Sequence, residues 1–333
     1  MKYTNDEDYS LSIAVWLCAE FYDHNRHPGK LHMSATGLLK PIRQIVLAQR
    51  VAAKEDVETV RDIKADIPSR LGTAIHAGIE RAWIHRYKEA MTRLGYPQRV
   101  IDKVRINPSK EALKENPDII PVYIEQRFTK ELDDFIIDGE ADFIGQGVLE
   151  DFKSTGVYGY MKGNNDDAYI KQGSIYRWLN PEVITADFMR IQMIFTDWSK
   201  LDSIIKKKAG YPATRIVTKK LELMSMEETE NYIKQRIREI KTNMNAPEEN
   251  LPMCTPEELW QDKTVYKFFS NPENTRSQGN FDTYAEAHNK MMKAGKGIVK
   301  EVHGKVKRCN WCDGFELCTQ KDVYLANGSL IPN

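Results

Sequence analysis

The stretch Asp134-Phe-Ile-Ile-Asp-Gly-Glu-Ala-Asp142, followed by Val148-Leu-Glu-Asp-Phe-Lys-Ser154, decides the predicted fold. Both runs are rich in β-branched and aromatic residues, and a short polar turn separates them, which is typical of neighbouring strands. Asp151 and Lys153 share one face of the second strand, because side chains two positions apart point the same way. An antiparallel hairpin would bring Asp142 beside them.

Two carboxylates and one amine at such a hairpin suit metal-assisted hydrolysis of a phosphodiester. Carboxylate oxygens are the ligands that Mg²⁺ and Mn²⁺ prefer, and the ion lowers the pKa of a bound water. Lys153 would orient that water or stabilise the charged transition state. The alternative interpretation is a pair of solvated strand residues, because Asp-x-Lys is common by chance.

Two predicted helices carry further polar side chains. One helix places His76 and Glu80 one turn apart on the same face. A second helix, around Tyr169–Leu179, places Gln172 and Tyr176 on adjacent turns. Taken singly, a lone helical histidine is more often structural than a ligand, and Gln172 with Tyr176 is better explained as the polar face of a helix.

The arrangement of these elements predicts an α/β protein with three regions. Residues 1–68 read as a helical N-terminal part. Residues 69–245 read as a core of strands and helices, in which Ser225-Met-Glu-Glu is the capping box of a helix running to about Asn243. Residues 246–333 are polar and rich in loops, with one helix at about 283–293, and they end in a cluster of cysteines.

Composition sets limits on partners and location. The 333 residues carry 48 basic and 48 acidic side chains, so contacts with nucleic acid must come from local patches. No apolar run is long enough for a membrane span, and the polar N-terminus has no targeting signal. We therefore expect a cytoplasmic protein without membrane partners.

The cysteines predict a second metal centre. Cys309-Asn-Trp-Cys312 and Cys318 form a C-x₂-C-x₅-C pattern whose thiolates suit zinc or an iron–sulfur cluster. Either group needs a fourth ligand, for which Cys254 and Cys18 are the candidates. Cys254 lies in a predicted loop and is favoured, whereas Cys18 lies in an apolar helical stretch that is typical of a buried free thiol. Such a centre would stabilise the C-terminal region.

The order of the motifs resembles the RecB-like branch of the PD-(D/E)XK nucleases, which includes Cas4, the AddB nuclease domain and many phage exonucleases. The matching pieces are Gly72-Thr-Ala-Ile-His76, Gly139-Glu-Ala-Asp142, Glu150-Asp-Phe-Lys153 and Gln172-Gly-Ser-Ile-Tyr176. The resemblance implies a mixed central sheet flanked by helices, like that of restriction endonucleases. It also implies Mg²⁺- or Mn²⁺-dependent cleavage of DNA.

The same resemblance implies roles for single residues. His76, Asp142, Asp151 and the backbone carbonyl of Phe152 would ligate the catalytic Mg²⁺ or Mn²⁺. Asp142 and Asp151 would thereby also be catalytic residues, and Lys153 would be the catalytic lysine.

Four further residues receive supporting roles from the resemblance. Gln172 and Tyr176 would act in the catalytic site by holding its lysine or the DNA backbone, and Glu80 and Glu125 would lie just outside the metal ligands. The resemblance also favours a [4Fe–4S] cluster over zinc at the cysteines. In the related nucleases the first cysteine precedes the core, whereas Cys254 follows it, so this chain departs from that pattern.

The densest basic segment includes Lys206, Lys207, Lys208 and Arg215, which are the candidate contacts with DNA phosphates if the segment flanks the sheet. A solvated loop is at least as good an interpretation of these residues. The predicted function is a DNA nuclease, of the exonuclease type, acting in recombination, repair or degradation. DNA and a recombination protein would be its partners, and a phage-encoded copy would act in the host cytoplasm. The alternatives are a non-catalytic DNA-binding protein on a nuclease fold and a structural iron–sulfur protein.

Overall fold

A computed structural model describes residues 2–19, 31–54, 60–163 and 165–332. The chain divides into two units, the first comprising residues 1–39 and 59–237 and the second comprising residues 40–58 and 238–333. The boundary between the units falls within one helix, Met226–Asn243.

The α-helices follow the chain in this order: α1 (Leu11–Cys18), α2 (Ala35–Leu38), α3 (Ile42–Ala52), α4 (Ile67–Arg93), α5 (Gln98–Ile101), α6 (Lys110–Glu115), α7 (Val157–Lys162), α8 (Asp166–Leu179), α9 (Lys200–Ile205), α10 (Met226–Asn243), α11 (Tyr284–Ala294) and α12 (Gln320–Ala326). Short 3₁₀ helices lie at Ile63–Asp66, Lys207–Ala209, Glu248–Asn250, Arg308–Trp311 and Phe315–Leu317. Within the described ranges, every helix is either too short or too polar to traverse a bilayer.

The β-strands are β1 (Lys2–Thr4), β2 (Leu31–Ser34), β3 (Val60–Asp62), β4 (Val104–Ile106), β5 (Ile120–Leu132), β6 (Phe135–Gly145), β7 (Val148–Thr155), β8 (Phe188–Phe195), β9 (Ile216–Glu222), β10 (Val265–Phe269), β11 (Gly279–Phe281) and β12 (Ile298–Val302). In the first unit, β4 to β9 lie side by side in chain order, and β2 pairs with β6. Strand pairs β2–β6, β4–β5 and β7–β8 are parallel, and the other pairs of this sheet are antiparallel. The predicted mixed α/β architecture is therefore confirmed.

The hairpin of β6 and β7 is the part of the sheet that positions the candidate site. Gln146 and Gly147 form its two-residue turn with φ values of 52° and 78°. Left-handed backbone at both positions is what a type I′ turn requires, and this turn matches the twist of antiparallel strands. The turn fixes the pairing of Gly145 with Val148 and of Phe143 with Glu150. One step further along this register, Asp142 lies beside Asp151.

The N-terminal region differs from the predicted helical part. It contains three short strands as well as helices: β2 adds to the main sheet next to β6, and β1 pairs with β3 in a separate parallel ribbon. Strands of three or four residues have too little periodicity to be recognised, and their hydrogen-bond partners are distant in sequence. Helix α3 groups with residues 238–333, and the boundaries at residues 68 and 245 stay a prediction.

The second unit contains a small antiparallel sheet that the polar, loop-rich composition did not reveal. β10 is central, with β11 on one side and β12 on the other. Tyr266 of β10 contacts Tyr284 of α11 edge to face, with ring centroids 5.9 Å apart. The structure thus places α11 close to its predicted bounds but packs it on strands.

We expect Gly139→Ala to destabilise the first unit. A β-carbon at Gly139 on β6 would collide with the ring of Tyr176 on α8, and overpacking of this kind costs about 1–3 kcal/mol. Gly78→Ala on α4 is the control, since a β-carbon there meets nothing within 4 Å and alanine favours the helix by about 1 kcal/mol. Urea unfolding measures both; equal stability of the two variants would contradict the close approach of β6 and α8.

Candidate functional site

Three side chains from three elements converge in the first unit. His76 on α4, Glu125 on β5 and Asp142 on β6 each offer one ligand atom, and these atoms all lie within 4.8 Å of one another. The Nδ1 atom of His76 is 3.6 Å from Asp142 Oδ1 and 3.8 Å from Glu125 Oε1. One imidazole nitrogen and two carboxylates form a donor set that suits a divalent cation such as Mn²⁺ or Mg²⁺.

The backbone at Glu125 is strained. Its φ is 45°, a left-handed value in the middle of a long strand, and such a conformation costs about 1–3 kcal/mol. The ladder pairs Ile124 with Phe143 and Gln126 with Ala141, so Glu125 stands across from Asp142 without regular pairing. Two facing carboxylates repel each other. The strain and the repulsion are both explained if the carboxylates share a cation.

Asp151 lies next to this cluster and contacts the predicted catalytic lysine. It is 2% exposed, and its Oδ2 atom is 2.7 Å from Lys153 Nζ. Gln172 on α8 approaches Asp151 Oδ1 at 3.5 Å and donates a hydrogen bond of 2.8 Å to the hydroxyl of Tyr176. The structure therefore brings all of these predicted residues together. In the geometry described, however, Glu125 stands with His76 and Asp142, while the carboxylate of Asp151 is neutralised by Lys153.

The backbone of Phe152 connects these two groups. Its N–H donates to Asp142 Oδ2 at 2.7 Å, and its carbonyl oxygen accepts from His76 Nε2 at 3.0 Å. The predicted carbonyl ligand thus lies within reach of the histidine, and the hairpin holds Asp142 in place through the strand that bears Asp151.

An open cleft of about 550 Å³ gives access to the cluster. His76, Glu125 and Lys153 line it together with Glu80, which lies one turn after His76 on α4. Glu140, which the sequence did not single out, also lines the cleft. It precedes Asp142 by two positions on β6 and so shares its face, which is the signal that identifies it.

Burial of Asp142 and the carboxylates near His76 raise the pKa values of these two residues. Burial raises the pKa of Asp142 to about 7, and the charge of Asp151 adds to the rise. The hydrogen bond with Glu125 raises the pKa of His76 to about 9, against the opposing effect of burial. Burial also works to lower the pKa of Lys153, but the Asp151 carboxylate outweighs it and the pKa is raised. Without a cation, protons and Lys153 thus offset the negative charge.

The second unit brings four cysteines around one cavity. Cys254, Cys309, Cys312 and Cys318 all line a space of about 30 Å³. Cys18 belongs to α1 in the first unit and is not among the residues that line this cavity. The four thiols that the sequence grouped are therefore together in the structure.

Polar side chains that the sequence did not single out form hydrogen bonds with the cysteines around this cavity. Gln320 accepts a hydrogen bond from the N–H of Cys254 and donates one to its carbonyl oxygen, both at 2.9 Å. Arg43 on α3 is 2% exposed and directs Nε toward Cys318 Sγ at 3.4 Å. Burial raises the pKa of Cys254 to about 12 and that of Cys309 to about 11. Thiolates would be costly here without a bound cation.

The predicted DNA-contacting residues lie in the segment between β8 and β9. Lys207 and Lys208 are exposed, and Lys206 pairs with Asp202 at 3.1 Å. Arg215 donates to the carbonyl oxygen of Trp198 and stacks on its ring at 5.7 Å. Arg215 therefore stabilises the segment by contacting Trp198, in addition to carrying charge.

Comparison with protein-family models and with curated protein sequences gives no match. Among solved structures, the crystal structure of SSO0001 is similar, with 16% sequence identity and a TM-score of 0.38 over 72% of this chain and 89% of that chain. The crystal structure of a phage related exonuclease from Haemophilus somnus 129PT is similar, with 15% identity and a TM-score of 0.28 over 63% of this chain and 91% of that chain. Both scores are low, so the assignment of function depends on the geometry of the site.

We expect Mn²⁺ binding at the His76–Asp142 cluster to release protons and to tighten as pH rises. The ion needs a neutral imidazole and an ionised carboxylate, whereas the pKa values are about 9 for His76 and about 7 for Asp142. Protons therefore compete with the ion below those values, and affinity increases between about pH 6 and pH 9.

Titration calorimetry in two buffers of different ionisation enthalpy measures the protons released. His76→Gln should weaken binding and reduce proton release. His85→Gln, an exposed position on the same helix, is the control and should change neither. Affinity that is constant over this pH range, or equal effects of both variants, would contradict this cation site.

Proposed function

We propose that this chain is a Mg²⁺- or Mn²⁺-dependent DNA nuclease with a PD-(D/E)XK core. The observation that carries the proposal is the convergence of His76, Glu125 and Asp142 beside an open cleft, with the Asp151–Lys153 pair next to them. His76, Glu125 and Lys153 line that cleft. Hard oxygen donors, one imidazole and an amine are groups that suit metal-assisted phosphodiester hydrolysis. DNA as the substrate rests on the resemblance of the motifs.

Each side chain has a role in the proposed reaction. When bound, the cation would lower the pKa of a water and neutralise charge on the phosphate. His76, Glu125 and Asp142 would hold it, and Asp151 would turn from Lys153 to complete the ligands. The ammonium of Lys153 would then be free to orient the attacking water or to stabilise the negative charge that develops on the phosphate.

Neighbouring residues would keep this arrangement in place. Gln172 contacts both Asp151 and Tyr176, so it restricts the carboxylate from the side opposite the cleft lysine. Glu80 faces the cleft one turn from His76 and would bind waters around the ion. A protein of this kind would degrade or trim DNA ends in recombination or repair, in the cytoplasm or, if phage-encoded, in that of the host.

We further propose a [4Fe–4S] cluster bound by Cys254, Cys309, Cys312 and Cys318. Four thiols line one cavity of about 30 Å³, which exceeds the roughly 10–15 Å³ that a single water needs. The choice of a [4Fe–4S] cluster over one zinc ion rests on the resemblance of the cysteine spacing to that of the related nucleases. Its role would be to stabilise the second unit, since metal binding contributes folding free energy.

We expect Asp151→Asn and Lys153→Met each to slow Mg²⁺-dependent DNA degradation by at least about 100-fold, because each removes a group that stabilises charge in the transition state. Asp167→Asn is the matched control: this carboxylate pairs with Lys171 on the exposed side of α8. End-labelled linear DNA and closed circular DNA, with Mg²⁺ or EDTA, measure the rate. If both variants still degrade DNA while their melting temperatures match wild type, the catalytic assignment of Asp151 and Lys153 is wrong. If the wild-type chain degrades neither DNA in the presence of Mg²⁺, the nuclease function is wrong.

We expect Cys254→Ser to lose the metal centre and Cys18→Ser to retain it. Protein purified anaerobically should contain iron and sulfide and should absorb at about 400 nm, and only the Cys254 variant should lose these signals. Elemental analysis decides between the metals. Zinc in place of iron would contradict the cluster, and full metal content in Cys254→Ser would contradict the four-cysteine site.

A further inference from the structure

The segment between β8 and β9 (196–215) exposes an aliphatic ridge. Leu201, Ile204 and Ile205 on α9 are 65%, 69% and 66% exposed. Their i, i+3, i+4 spacing puts them on one face of the helix. Three clustered aliphatic side chains at this exposure are typical of a surface that binds a partner.

The ridge is held rigidly. The indole Nε1 of Trp198 donates to the carbonyl oxygen of Pro212 at 3.0 Å, and the N–H of Ser199 donates to the hydroxyl of Tyr211 at 2.9 Å. Ser199 also caps α9 by accepting a hydrogen bond from the N–H of Asp202. These contacts close the two ends of the segment on each other, so the ridge is presented by a fixed platform.

Basic side chains surround the ridge. The segment contains five lysines and arginines and only two aspartates. Both aspartates are engaged, because Asp202 pairs with Lys206 and Asp197 accepts a hydrogen bond from the N–H of Val157. Lys207 and Lys208 follow the ridge after Lys206 and are exposed. The partner should therefore offer apolar surface flanked by negative charge.

The segment 196–215 begins beside the end of strand β7. The N–H of Thr196 donates to the carbonyl oxygen of Thr155 at 3.0 Å, and Thr155 is the last residue of β7. Lys153, two positions earlier on β7, lines the cleft. A ligand that binds the cleft through a phosphate is thus near the base of this segment.

We propose that the ridge of Leu201, Ile204 and Ile205 takes the unstacked terminal bases of a DNA end, whose phosphates lie on Lys207 and Lys208. Aliphatic side chains insert between or against bases in many complexes with DNA, while lysines bind the backbone. This assignment rests on the proposed nuclease function and specifies its substrate as a DNA end. A lipid surface would satisfy the same side chains but not the continuity with the phosphodiester cleft.

The test measures binding in an Asp151→Asn background, so that cleavage does not interfere. A short blunt duplex carries 2-aminopurine either at its terminal pair or at its centre, and the fluorescence of this base rises when it unstacks. We expect a rise at the terminal position only. Leu201→Ser, Ile204→Ser and Ile205→Ser combined should remove most of that rise and weaken binding roughly tenfold.

Two further variants separate the contributions. Lys207→Gln with Lys208→Gln should weaken binding and reduce the slope of log affinity against log salt by about two, one for each lost phosphate contact. The combined change Leu94→Ser, Val323→Ser and Ile331→Ser is the matched control, because these aliphatic residues are 75%, 58% and 60% exposed elsewhere on the chain. It should change neither signal.

The outcomes distinguish this inference from the nuclease function. If the chain degrades DNA and binds the duplex but the ridge variant behaves like the control, only the ridge assignment is overturned. If the ridge variant instead loses binding to phosphatidylserine vesicles while DNA binding is intact, the partner is a membrane and the assignment is likewise overturned. If the chain with Asp151 intact does not cleave DNA, but the ridge variant still loses terminal unstacking, the ridge assignment is supported and the nuclease function is refuted.

Discussion

Electrostatic repulsion among Glu125, Asp142 and Asp151 is the constraint on which the site depends. Burial and the neighbouring Asp151 raise the pKa of Asp142 to about 7. Bringing these carboxylates together in the fold therefore has a cost in free energy. In the described geometry His76 and Lys153 offset that charge. A divalent cation would offset it more strongly, and it would release Lys153 from Asp151 for chemistry. The proposed activity follows from that exchange of partners.

A short turn and close packing in the fold bring these carboxylates together. A two-residue turn at Gln146 and Gly147 fixes the register of β6 and β7, and the backbone of Phe152 then holds Asp142 by a hydrogen bond. Helix α4 delivers His76 to the same point. At Gly139 the backbone of β6 approaches the ring of Tyr176 so closely that no side chain fits between them. Glycine at that position therefore allows α8 to bring Gln172 to Asp151.

The parts predicted from sequence were those encoded locally. The hairpin was predictable because its strands are adjacent in the chain, and the capping box at Ser225 was predictable because Ser225 and Glu228 exchange hydrogen bonds within one turn. Strand β2 was not predictable from the sequence, because its pairing with β6 spans about a hundred residues and only four of its residues take part. Glu125 was predicted just outside the metal ligands. Its place directly across from Asp142 was not predicted, since its left-handed backbone is imposed by tertiary context. Arg43 joins the cysteine region through packing that no spacing of residues reveals.

Diffraction from crystals grown with Mn²⁺, recorded at a wavelength where manganese scatters anomalously, tests whether His76, Glu125 and Asp142 hold one cation. We expect one strong anomalous peak at about 2.0–2.3 Å from ligand atoms of His76, Glu125 and Asp142, with Asp151 turned toward the ion and away from Lys153. A well-ordered cleft with no peak there, or with the Asp151–Lys153 contact unchanged in the presence of saturating Mn²⁺, would contradict it.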